Sequence, residues 1–441
     1  MSENPIFNPE RIKIGAGKFT AGKIVFGGFF GDEGKGKIVD ITCSDYKKNG
    51  YKILSIRGQG SGNAGHTVEV NGKKMFFHYL TSAGMEADIM LLGAGMLIDP
   101  IRLLDEIKQL PENKQAIVLI DERAMLCCDL DRKLDEWIEN ETRSTGKRTI
   151  GTTKSGVGPA TALRALRQHP TFADVKSCKS KEDLYKIIMN RPLVPMRIMS
   201  SMTMEYAGKL FEAVNQLSIV NGLEIISNCR EEGYAVLLEV SQAVLLDPLF
   251  GNGGHFVTST PTTDIGAAAG AGLKLDDFPE GSTMVLKAYS SKVGGGPFPT
   301  KFKEDEAAIA DVIYRIVGEC GVTTGRKRDL GWFDAVGVRH SLMLSNCREI
   351  AINCMDLIPK LAKATDKIKV CYAYRRKETD EVTYMWPYDL SKYEPLYFEL
   401  SIKEKSDEQI IDDYIHLVST VIGRKIDYIG LGPGREDIRK L

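Results

Sequence analysis

Short apolar runs recur along the chain, and most of them end in a turn or lead into an amphipathic stretch. The runs at residues 23–26, 53–56, 90–92 and 117–120 have the length and composition of buried strands. Further strands are predicted at residues 235–238, 284–286 and 368–374. Because short apolar strands alternate with helical stretches, the pattern predicts an α/β fold with a large central, mostly parallel sheet flanked by helices.

The clearest helix signal follows the third apolar run. Asp99 can cap a helix, and Pro100 suits the first helical position. The apolar residues Ile101, Leu104 and Ile107 then fall on one face. This spacing predicts an amphipathic helix.

The chain shows no internal repeat, no low-complexity tract and no convincing linker. Residues 180–235 are mainly helical in pattern, with amphipathic stretches at 184–189 and 205–217. We therefore expect residues 1–22 to form an N-terminal extension and residues 23–441 to form one large domain, with a helical insertion at about 180–235.

Composition and charge narrow the possible partners. The 441 residues include 58 Lys and Arg and 59 Asp and Glu, a formal net charge of −1. This balance gives no sign of a nucleic-acid or membrane partner, so anionic small molecules have to be held by local basic groups. No apolar run approaches the roughly 18 residues that span a bilayer, and the first residues lack a signal pattern. These features predict a cytoplasmic protein.

The nine cysteines carry little pattern. Cys127 and Cys128 are adjacent, the other seven are scattered, and no CxxC pair occurs. A zinc site or a redox dithiol is therefore not expected. An odd number of cysteines in a chain of this size fits reduced thiols.

A glycine-rich turn, GGFFGDEGKGK at residues 27–37, follows the first apolar run. Its glycines let backbone amides approach phosphate oxygens, and a helix that we expect to begin near Ile38 adds the positive end of its dipole. Lys35 and Lys37 supply mobile positive charge. The segment therefore predicts a phosphate-binding loop, with a glycine turn carrying solvated charges as the alternative.

This loop is P-loop-like without being a standard P-loop. The standard motif needs Ser or Thr after its lysine to reach magnesium, and here Gly36 follows Lys35. Asp32, inside the loop, can take over as a metal ligand or as a base.

A second glycine-rich turn, RGQGSGNAGHTV at residues 57–68, follows the second apolar run. His66 lies where a strand–turn–strand unit places a side chain at a sheet edge. Histidine is the natural proton donor near neutral pH. A lone histidine is more often structural, but the neighbouring glycines and Asn63, after a phosphate-type loop, favour a functional role.

Five segments, in this order, resemble the signature segments of adenylosuccinate synthetases. They are GDEGKGK at 31–37, NAGHTV at 63–68, GTTKSGVGPA at 151–160, KAYSSKVGGGPFPT at 287–300, and GVTTGRKR at 321–328 with GWFD at 331–334. The resemblance extends from about residue 23 to residue 437, and five ordered segments are highly specific.

The resemblance implies a ligase that joins L-aspartate to IMP in AMP biosynthesis, driven by GTP and Mg²⁺ through a 6-phosphoryl-IMP intermediate. By position, Asp32 is implied as the base that removes the N1 proton and, with the carbonyl of Gly65, as a magnesium ligand. His66 is implied as the proton donor, and Lys35 as the group that neutralises phosphate charge.

The resemblance also implies three sets of binding residues. The triphosphate is expected to contact Gly31, Glu33, Gly34, Lys35, Gly36, Lys37, Gly65, Thr67, Asp356, Gly432 and Pro433. IMP is expected to contact Asp32, Asn63, Thr153, Arg167, Gln242, Thr258 and Arg326. Aspartate is expected to contact Thr323, Thr324, Arg326 and Arg328. An arginine fork suits a carboxylate, which it grips through two bonds.

Arg167 carries a prediction about assembly. It stands where the family sends an arginine across a dimer interface to the nucleotide phosphate, which implies a homodimer. Arg164 lies three residues earlier, and two arginines at this spacing usually mark a solvated helix face. The offset of Arg167 from the loop that carries Thr153 favours the functional interpretation.

The departures from the family pattern concentrate on the two purine-base pockets. Residues 353–356 read NCMD where the family typically has TKLD, so Asp356 is retained and Cys354 replaces a lysine. Residues 430–435 lack the usual serine. Residues 239–243 read EVSQA instead of EGAQG, and residues 247–255 are rewritten, with His255 given no role.

Two alternatives to the ordinary reaction remain. One is a family relative that acts on a 2-amino purine monophosphate such as dGMP, or that uses ATP. Asp32, which such viral relatives commonly replace, is present here. The other is a non-catalytic nucleotide-binding protein, which predicts loss of the base, the acid or the aspartate grip. Asp32, His66, Arg326 and Arg328 are all retained.

Overall fold

The computed structural model describes residues 17–63, 65–70, 73–84, 86–110, 116–145, 149–320 and 327–441, with the backbone alone for 66–70 and 73–75. The strands are β1 (Gly22–Gly27), β2 (Ile53–Gly60), β3 (His66–Val70), β4 (Lys73–Phe77), β5 (Ile89–Ile98), β6 (Ile117–Asp121), β7 (Met125–Leu126), β8 (Ser218–Val220), β9 (Ala235–Ala243), β10 (Ser282–Lys287), β11 (Ser290–Lys292), β12 (Asp329–Gly331), β13 (Phe333–Asp334), β14 (Cys347–Asn353), β15 (Lys367–Arg376), β16 (Val382–Thr383), β17 (Tyr393–Ser401), β18 (Tyr428–Gly430) and β19 (Ile438–Lys440).

A large sheet runs through the centre of the molecule, in the strand order β19-β18-β14-β10-β1-β9-β2-β5-β6-β8, with β7 paired to β5. Its pairs are parallel, except that β19 runs antiparallel to β18. The predicted α/β class with a large, mostly parallel sheet is confirmed.

Central strands are apolar along their length because both faces of the sheet are covered. In β1, Ile24 and Phe26 pack into the core on one face and Val25 packs into the core on the other. All three side chains are fully buried. This two-sided burial explains why the strands appear in the sequence as continuous apolar runs instead of alternating patterns.

Helices cover the two faces. They are α1 (Lys35–Lys48), α2 (Pro100–Ile107), α3 (Asp129–Ser144), α4 (Val157–Ala165), α5 (Phe172–Lys176), α6 (Lys181–Met189), α7 (Met196–Met199), α8 (Met204–Val214), α9 (Gly222–Glu231), α10 (Asp264–Ala271), α11 (Ala307–Val317), α12 (Ala335–Met343), α13 (Leu357–Lys360) and α14 (Asp407–Ile422). Asp99 caps α2 as predicted, because its carboxylate accepts from the amides of Ile101 at 3.0 Å and Arg102 at 3.2 Å.

Two details differ from the sequence-based expectation. Helix α1 begins at Lys35 and not near Ile38, because Gly34 takes a left-handed conformation, with φ 84°, that ends the turn early. The stretch 180–235 is mainly helical but also contains β8, which pairs with β6 at the edge of the central sheet. The proposed domain boundaries at residues 22 and 180–235 stay predictions.

Smaller sheets flank the central one. The pair β3–β4 is an antiparallel hairpin, and β11 pairs with β12. Strands β13, β15, β16 and β17 form a separate sheet, so the predicted strand at 368–374 exists but lies outside the central sheet.

Candidate active site

Five neighbouring strands bring the predicted site segments to one edge of the central sheet. Strands β14, β10, β1, β9 and β2 are adjacent in this order and parallel. Their carboxyl ends therefore meet, and both glycine-rich turns follow from there. This edge is the usual place for a ligand site in an open α/β sheet.

The phosphate loop, residues 27–37, is held together by its own buried glutamate. Glu33 is 1% exposed, and its Oε1 accepts from the amides of Phe29 at 3.2 Å and Gly31 at 2.7 Å. Its Oε2 accepts from the ammonium of Lys35 at 3.0 Å. Glu33 and Lys35 thus pair with each other inside the loop, and the side chain of Glu33 shapes the loop.

Asp32 projects from this loop because its backbone is left-handed, with φ 59°. A left-handed non-glycine residue costs roughly 1–2 kcal/mol, so the surrounding structure has to hold it there. Its Oδ2 accepts from Nη2 of Arg328 at 2.5 Å, and its Oδ1 has no protein partner among the described residues. The structure therefore brings together the predicted base and a predicted aspartate-binding arginine.

Arg328 belongs to a buried charge cluster that sequence reasoning missed. Its Nη1 donates to Oε2 of Glu319, which is fully buried. Oε1 of Glu319 accepts from Lys287 at 2.6 Å and from the hydroxyl of Tyr289. Burial alone raises the pKa of Glu319, but the charges of Lys287 and Arg328 outweigh it and hold that pKa at about 2. The one feature of the sequence that pointed to this cluster was Glu319 itself, an acidic residue two positions before the segment at 321–328.

Lys37 is directed toward the C-terminal part of the chain. Its ammonium donates to the carbonyls of Gly432 at 2.8 Å and Asp437 at 2.9 Å, and burial lowers its pKa. Arg435 grips Asp40 of α1 through two bonds of 2.7 Å. These contacts fasten the loop that contains Gly432 and Pro433 to the helix of the phosphate loop.

Asn353 ties the end of β14 to the phosphate loop. Its Nδ2 donates to the carbonyls of Glu33 at 2.8 Å and Gly34 at 3.3 Å. The next residue, Cys354, is left-handed with φ 62°, and burial raises the pKa of its thiol. Asp356 is half-buried and accepts from Lys360 at 2.6 Å, one helical turn later. The predicted donor-base carboxylate therefore lies close to the phosphate loop with a cation beside it.

The second glycine-rich turn rests on a buried polar network. Gln59 donates from Nε2 to the carbonyl of Ser241 at 2.9 Å, and the fully buried Arg57 donates to the hydroxyl of the same serine. Asn63 and Gly65 follow in the turn, half-buried. For His66 and Thr67 the structure gives the backbone only, as the start of β3, so their predicted roles stay predictions.

Gln242 marks the acceptor segment, residues 239–262. Its backbone is left-handed, with φ 61°, and both its amide nitrogen and its amide oxygen are buried without a hydrogen-bond partner in the described part of the chain. It lies beside the phosphate loop: a Cβ on Gly27 would come within 2.9 Å of the Gln242 carbonyl oxygen and 2.5 Å of Glu33 Oε2. An unpaired amide held at this place is suited to a ligand that supplies the missing partners.

The loop that carries Thr153 leads into α4. The hydroxyl of Thr153 donates to the hydroxyl of Ser155 at 3.0 Å. Near the start of α4, a Cβ on Gly158 would lie 3.4 Å from the hydroxyl of Ser259, the neighbour of Thr258. The structure thus places Thr153 and Thr258 on adjoining segments, next to a helix N-terminus that favours anions.

The two arginines near the end of this helix differ in their contacts. Arg164, in the last turn of α4, donates from Nη1 to the carbonyl of Ala94 at 2.9 Å, within its own chain. Arg167 follows the helix, has a left-handed backbone, with φ 61°, and is exposed. Its backbone amide donates to the carbonyl of Arg164 at 2.8 Å, but its guanidinium forms no hydrogen bond or ion pair with any residue that the structure describes. Thr323, Thr324 and Arg326 lie outside the described residues.

The family profile described as adenylosuccinate synthetase matches residues 24–439 of this chain, nearly its full length. The chain belongs to the adenylosuccinate synthetase family. Members of this family are ligases that form a C–N bond, and this chain is such an enzyme.

Curated relatives carry the same name. The adenylosuccinate synthetase of Picrophilus torridus is 37% identical over 357 residues, which cover 80% of each chain. That of Acetivibrio thermocellus is 33% identical over 442 residues, covering 94% of this chain and 98% of the relative. The resemblance seen in the five sequence segments is thus confirmed over the whole domain.

Solved structures show the same fold. The fully ligated adenylosuccinate synthetase of Plasmodium falciparum superposes with a TM-score of 0.84 at 25% identity and covers 95% of this chain and 99% of its own. The succinoaminodeoxyadenylate synthetase of cyanophage S-2L, bound to dGMP and to dATP as an energy donor, has a TM-score of 0.62 at 16% identity and covers 96% of each chain. This second likeness shows the fold alone. In the described part of the chain, no helix is long and apolar enough to cross a membrane.

Proposed function

We propose that this enzyme joins L-aspartate to IMP, with GTP as the energy donor, and so makes adenylosuccinate for AMP biosynthesis. The observation that carries the proposal is the position of Asp32. Its carboxylate projects from the phosphate loop, contacts Arg328, and lies in the loop that Gln242 adjoins. The base, the phosphate-binding loop and the acceptor segment thus border one space.

The chemistry follows from the lack of a good leaving group at C6 of IMP. O6 leaves poorly as an oxide and well as a phosphate. Asp32 removes the N1 proton, O6 attacks the γ-phosphorus, and the bond from that phosphorus to the β-phosphate oxygen breaks to release GDP. The amino group of aspartate then attacks C6, the C6–O6 bond breaks, and phosphate leaves. His66 stabilises charge and donates a proton in the first step, where general acid–base help is worth roughly 10²–10⁴-fold.

The residues at the phosphate loop fit a magnesium ion. Mg²⁺ takes one or two carboxylates and completes its shell with phosphate oxygens and water. Asp32 offers one oxygen that has no partner among the described residues, and the carbonyl of Gly65 is the second protein ligand that we propose. In the described part of the chain no group of three or more His, Cys, Asp or Glu could hold a metal ion by itself. When bound, Mg²⁺ neutralises phosphate charge during transfer.

The purine nucleotides are assigned by position and by unsatisfied polar groups. Gln242 supplies both an amide donor and an amide acceptor for the base of IMP. Thr153 and Thr258, with Asn63, hold the acceptor nucleotide, and Asp356 reads the N1–H and N2–H donors of guanine.

The same assignment predicts a homodimer, in which Arg167 completes the partner's site. Its exposure, and a guanidinium without a partner among the described residues of its own chain, support this role. A guanidinium exposed in this way suits a ligand phosphate in a neighbouring subunit.

A second candidate reaction uses a 2-amino purine monophosphate such as dGMP, or ATP in place of GTP. The replacement at Cys354 and the rewritten segment 247–255 favour it, since both touch base pockets. The retained Asp32 and Asp356 favour the ordinary reaction. A non-catalytic nucleotide-binding role has no support in the retained residues.

One assay decides between the two reactions. Purified protein is incubated with IMP or dGMP, with GTP or ATP, and with aspartate and Mg²⁺, and the product is identified by mass. We expect adenylosuccinate from IMP and GTP at the highest kcat/KM. Product formed mainly from dGMP, or equally well with ATP, would assign the second reaction instead.

A further inference from the structure

Glu319 is the centre of a buried charge cluster that the reaction outlined above does not use. It is fully buried, and each of its carboxylate oxygens accepts at least one hydrogen bond. Oε1 accepts from Lys287 at 2.6 Å and from the hydroxyl of Tyr289, and Oε2 accepts from Nη1 of Arg328. Lys287 and Tyr289 therefore fix the glutamate, and the glutamate fixes one end of the guanidinium.

The rest of the Arg328 guanidinium is thereby turned toward the reaction site. Nη2 donates to Oδ2 of Asp32 at 2.5 Å. Nε is buried and has no hydrogen-bond partner in the described residues. Nε–H and Nη2–H lie on one edge of the guanidinium, and two parallel donors on one edge are what a carboxylate binds. One donor of this edge, Nε–H, has no partner among the described residues, and the other already donates to Asp32, so the edge is half-satisfied and lies next to the proposed base.

The backbone reinforces this geometry. The amide of Arg328 donates to the carbonyl of Glu319 at 3.1 Å, and Cys320 and Lys327 form an antiparallel bridge. The glutamate and the arginine are therefore joined twice, once through the main chain and once through their side chains. Because Arg328 is held both at its backbone amide and at its Nη1, its guanidinium has little freedom to turn.

We propose that Glu319 is the positioning residue for Arg328: it holds Nη1 so that the Nε–Nη2 edge meets a carboxylate of the amino-acid substrate. The inference rests on the proposed function, since it takes aspartate as that substrate. Lys287 and Tyr289 serve the same purpose one step further away, because they hold Glu319.

A purely structural ion cluster is the simpler interpretation, and two observations weigh against it. Burying charges costs much of what their pairing returns, so apolar residues would serve stability equally well. In addition, a cluster built only for stability has no reason to leave the buried Nε of Arg328 without a partner among the described residues. Both observations fit a cluster that is completed by a ligand.

The test compares Glu319→Gln with Glu306→Gln. The first change keeps the shape of the side chain and removes the charge that holds Nη1. Glu306 is a matched control: it is also nearly buried and accepts from Trp332 at 2.8 Å and Lys369 at 2.7 Å, but it contacts neither Arg328 nor Asp32. We expect Glu319→Gln to raise the aspartate KM by roughly 10–100-fold, while the KM of each nucleotide stays within about threefold. Glu306→Gln leaves all three within about twofold.

Two further variants keep the proposal testable if Glu319→Gln does not fold. Tyr289→Phe removes one donor to Glu319 and keeps every charge, so we expect a smaller rise in the aspartate KM, roughly 2–10-fold. Glu319→Asp restores the charge on a shorter side chain and is expected to recover part of the loss. An aspartate KM that stays within twofold in Glu319→Gln, or in Tyr289→Phe if Glu319→Gln does not fold, overturns the proposal. A rise shared equally by all three substrates overturns it as well.

A crystal structure of ligand-free Glu319→Gln separates this inference from the proposed function. We expect the Arg328 guanidinium to rotate, so that the contact between its Nη2 and Asp32 Oδ2 changes. An unchanged guanidinium overturns the positioning role, whatever the substrate is. Wild-type protein that forms no C–N ligation product with any purine nucleotide overturns the proposed function, and the crystallographic result still judges the role of Glu319.

Discussion

The phosphate loop and the acceptor segment adjoin each other, yet they differ in their buried polar groups. The acceptor segment combines hydrogen-bonded side chains, such as Ser241 and Asp247, with unpaired ones. In the phosphate loop, Glu33 is bonded to two backbone amides and to Lys35, and Asn353 satisfies two loop carbonyls. In the acceptor segment, both amide atoms of Gln242 are buried without a partner in the described part of the chain. The same holds for hydroxyls at Thr260 and Thr262.

The difference separates two ways of preparing a site. A loop whose side chains are already satisfied has a fixed shape and offers its backbone amides to phosphates at no further cost of ordering. Side chains left buried and unpaired cost stability, roughly 1–3 kcal/mol for each unsatisfied group, and that cost is recovered only when a ligand binds. We infer that the first region supplies a fixed frame and the second supplies recognition.

The largest effect is expected at Asp32, in the phosphate loop. Asp32→Asn removes the base and keeps the shape, so turnover should fall roughly 10²–10⁴-fold while nucleotide binding is largely kept. Steady-state kinetics and nucleotide binding by calorimetry measure the two quantities. A variant that keeps more than about a tenth of the wild-type rate would contradict the role of Asp32 as base.

The next largest effect is expected at Gln242 and tests recognition by the acceptor segment. Gln242→Met removes an amide that has no partner among the described residues, so the KM of the purine monophosphate should rise roughly 5–150-fold while the free energy of unfolding does not fall. Gln216→Met is the matched control, since the side-chain amide of Gln216 donates to the carbonyl of Glu212 in an exposed position. Loss of stability with an unchanged KM would show that Gln242 belongs to the frame.

Asp356 extends the comparison to the donor base. We propose that its carboxylate pairs with the two donors of guanine, whereas adenine presents an acceptor at N1, a mismatch worth roughly 5–150-fold. The loss of the family lysine and serine removes supporting contacts, so we expect GTP to be preferred, with weaker discrimination than the family usually shows. The kcat/KM values for GTP and ATP at saturating IMP and aspartate decide it. An ATP value equal to or above that of GTP would mean that Asp356 does not read the base.

The guanidinium of Arg167 also has no partner among the described residues of its own chain, and complementation tests whether its partner lies in the other subunit. When inactive Arg167→Leu and Asp32→Asn subunits are mixed, half of the dimers are mixed dimers with one intact site, so about a quarter of wild-type activity should return. Activity is followed as tagged subunits exchange. No recovery despite demonstrated exchange argues against a site shared between subunits.

The smallest effect on turnover is expected at Asn353, whose side chain supports the phosphate loop. Asn353→Ala leaves the carbonyls of Glu33 and Gly34 without their donor and should lower the free energy of unfolding by roughly 1–3 kcal/mol. Asn49→Ala is the control, since Asn49 makes one exposed bond to Asp45 and should change stability by less than about 0.5 kcal/mol. Urea unfolding compares the two. Equal stabilities would mean that the phosphate loop keeps its shape without Asn353.

Much of this protein is determined by local sequence. Apolar runs buried on both faces predicted the strands of the central sheet, because a strand that is covered on both sides has no polar face to interrupt it. The cap at Asp99 and the glycine-rich turn after β1 were also predictable, since capping and left-handed glycines depend on neighbouring residues. The ordered segments identified the family.

The partners of the site residues were decided only by the tertiary structure. Asp32 and Arg328 are 296 positions apart, and Lys37 and Gly432 are 395 apart. No periodicity or spacing links residues at such distances. Lys37 and Gly432 meet because they follow the carboxyl ends of the parallel strands β1 and β18 at one edge of the sheet. Arg328 reaches Asp32 from outside the central sheet, just before β12. Glu319 and Asn353 were missed because their roles depend on contacts of the same long range. Each resembles an ordinary polar residue in the sequence, and its role arises from the elements that the fold packs around it.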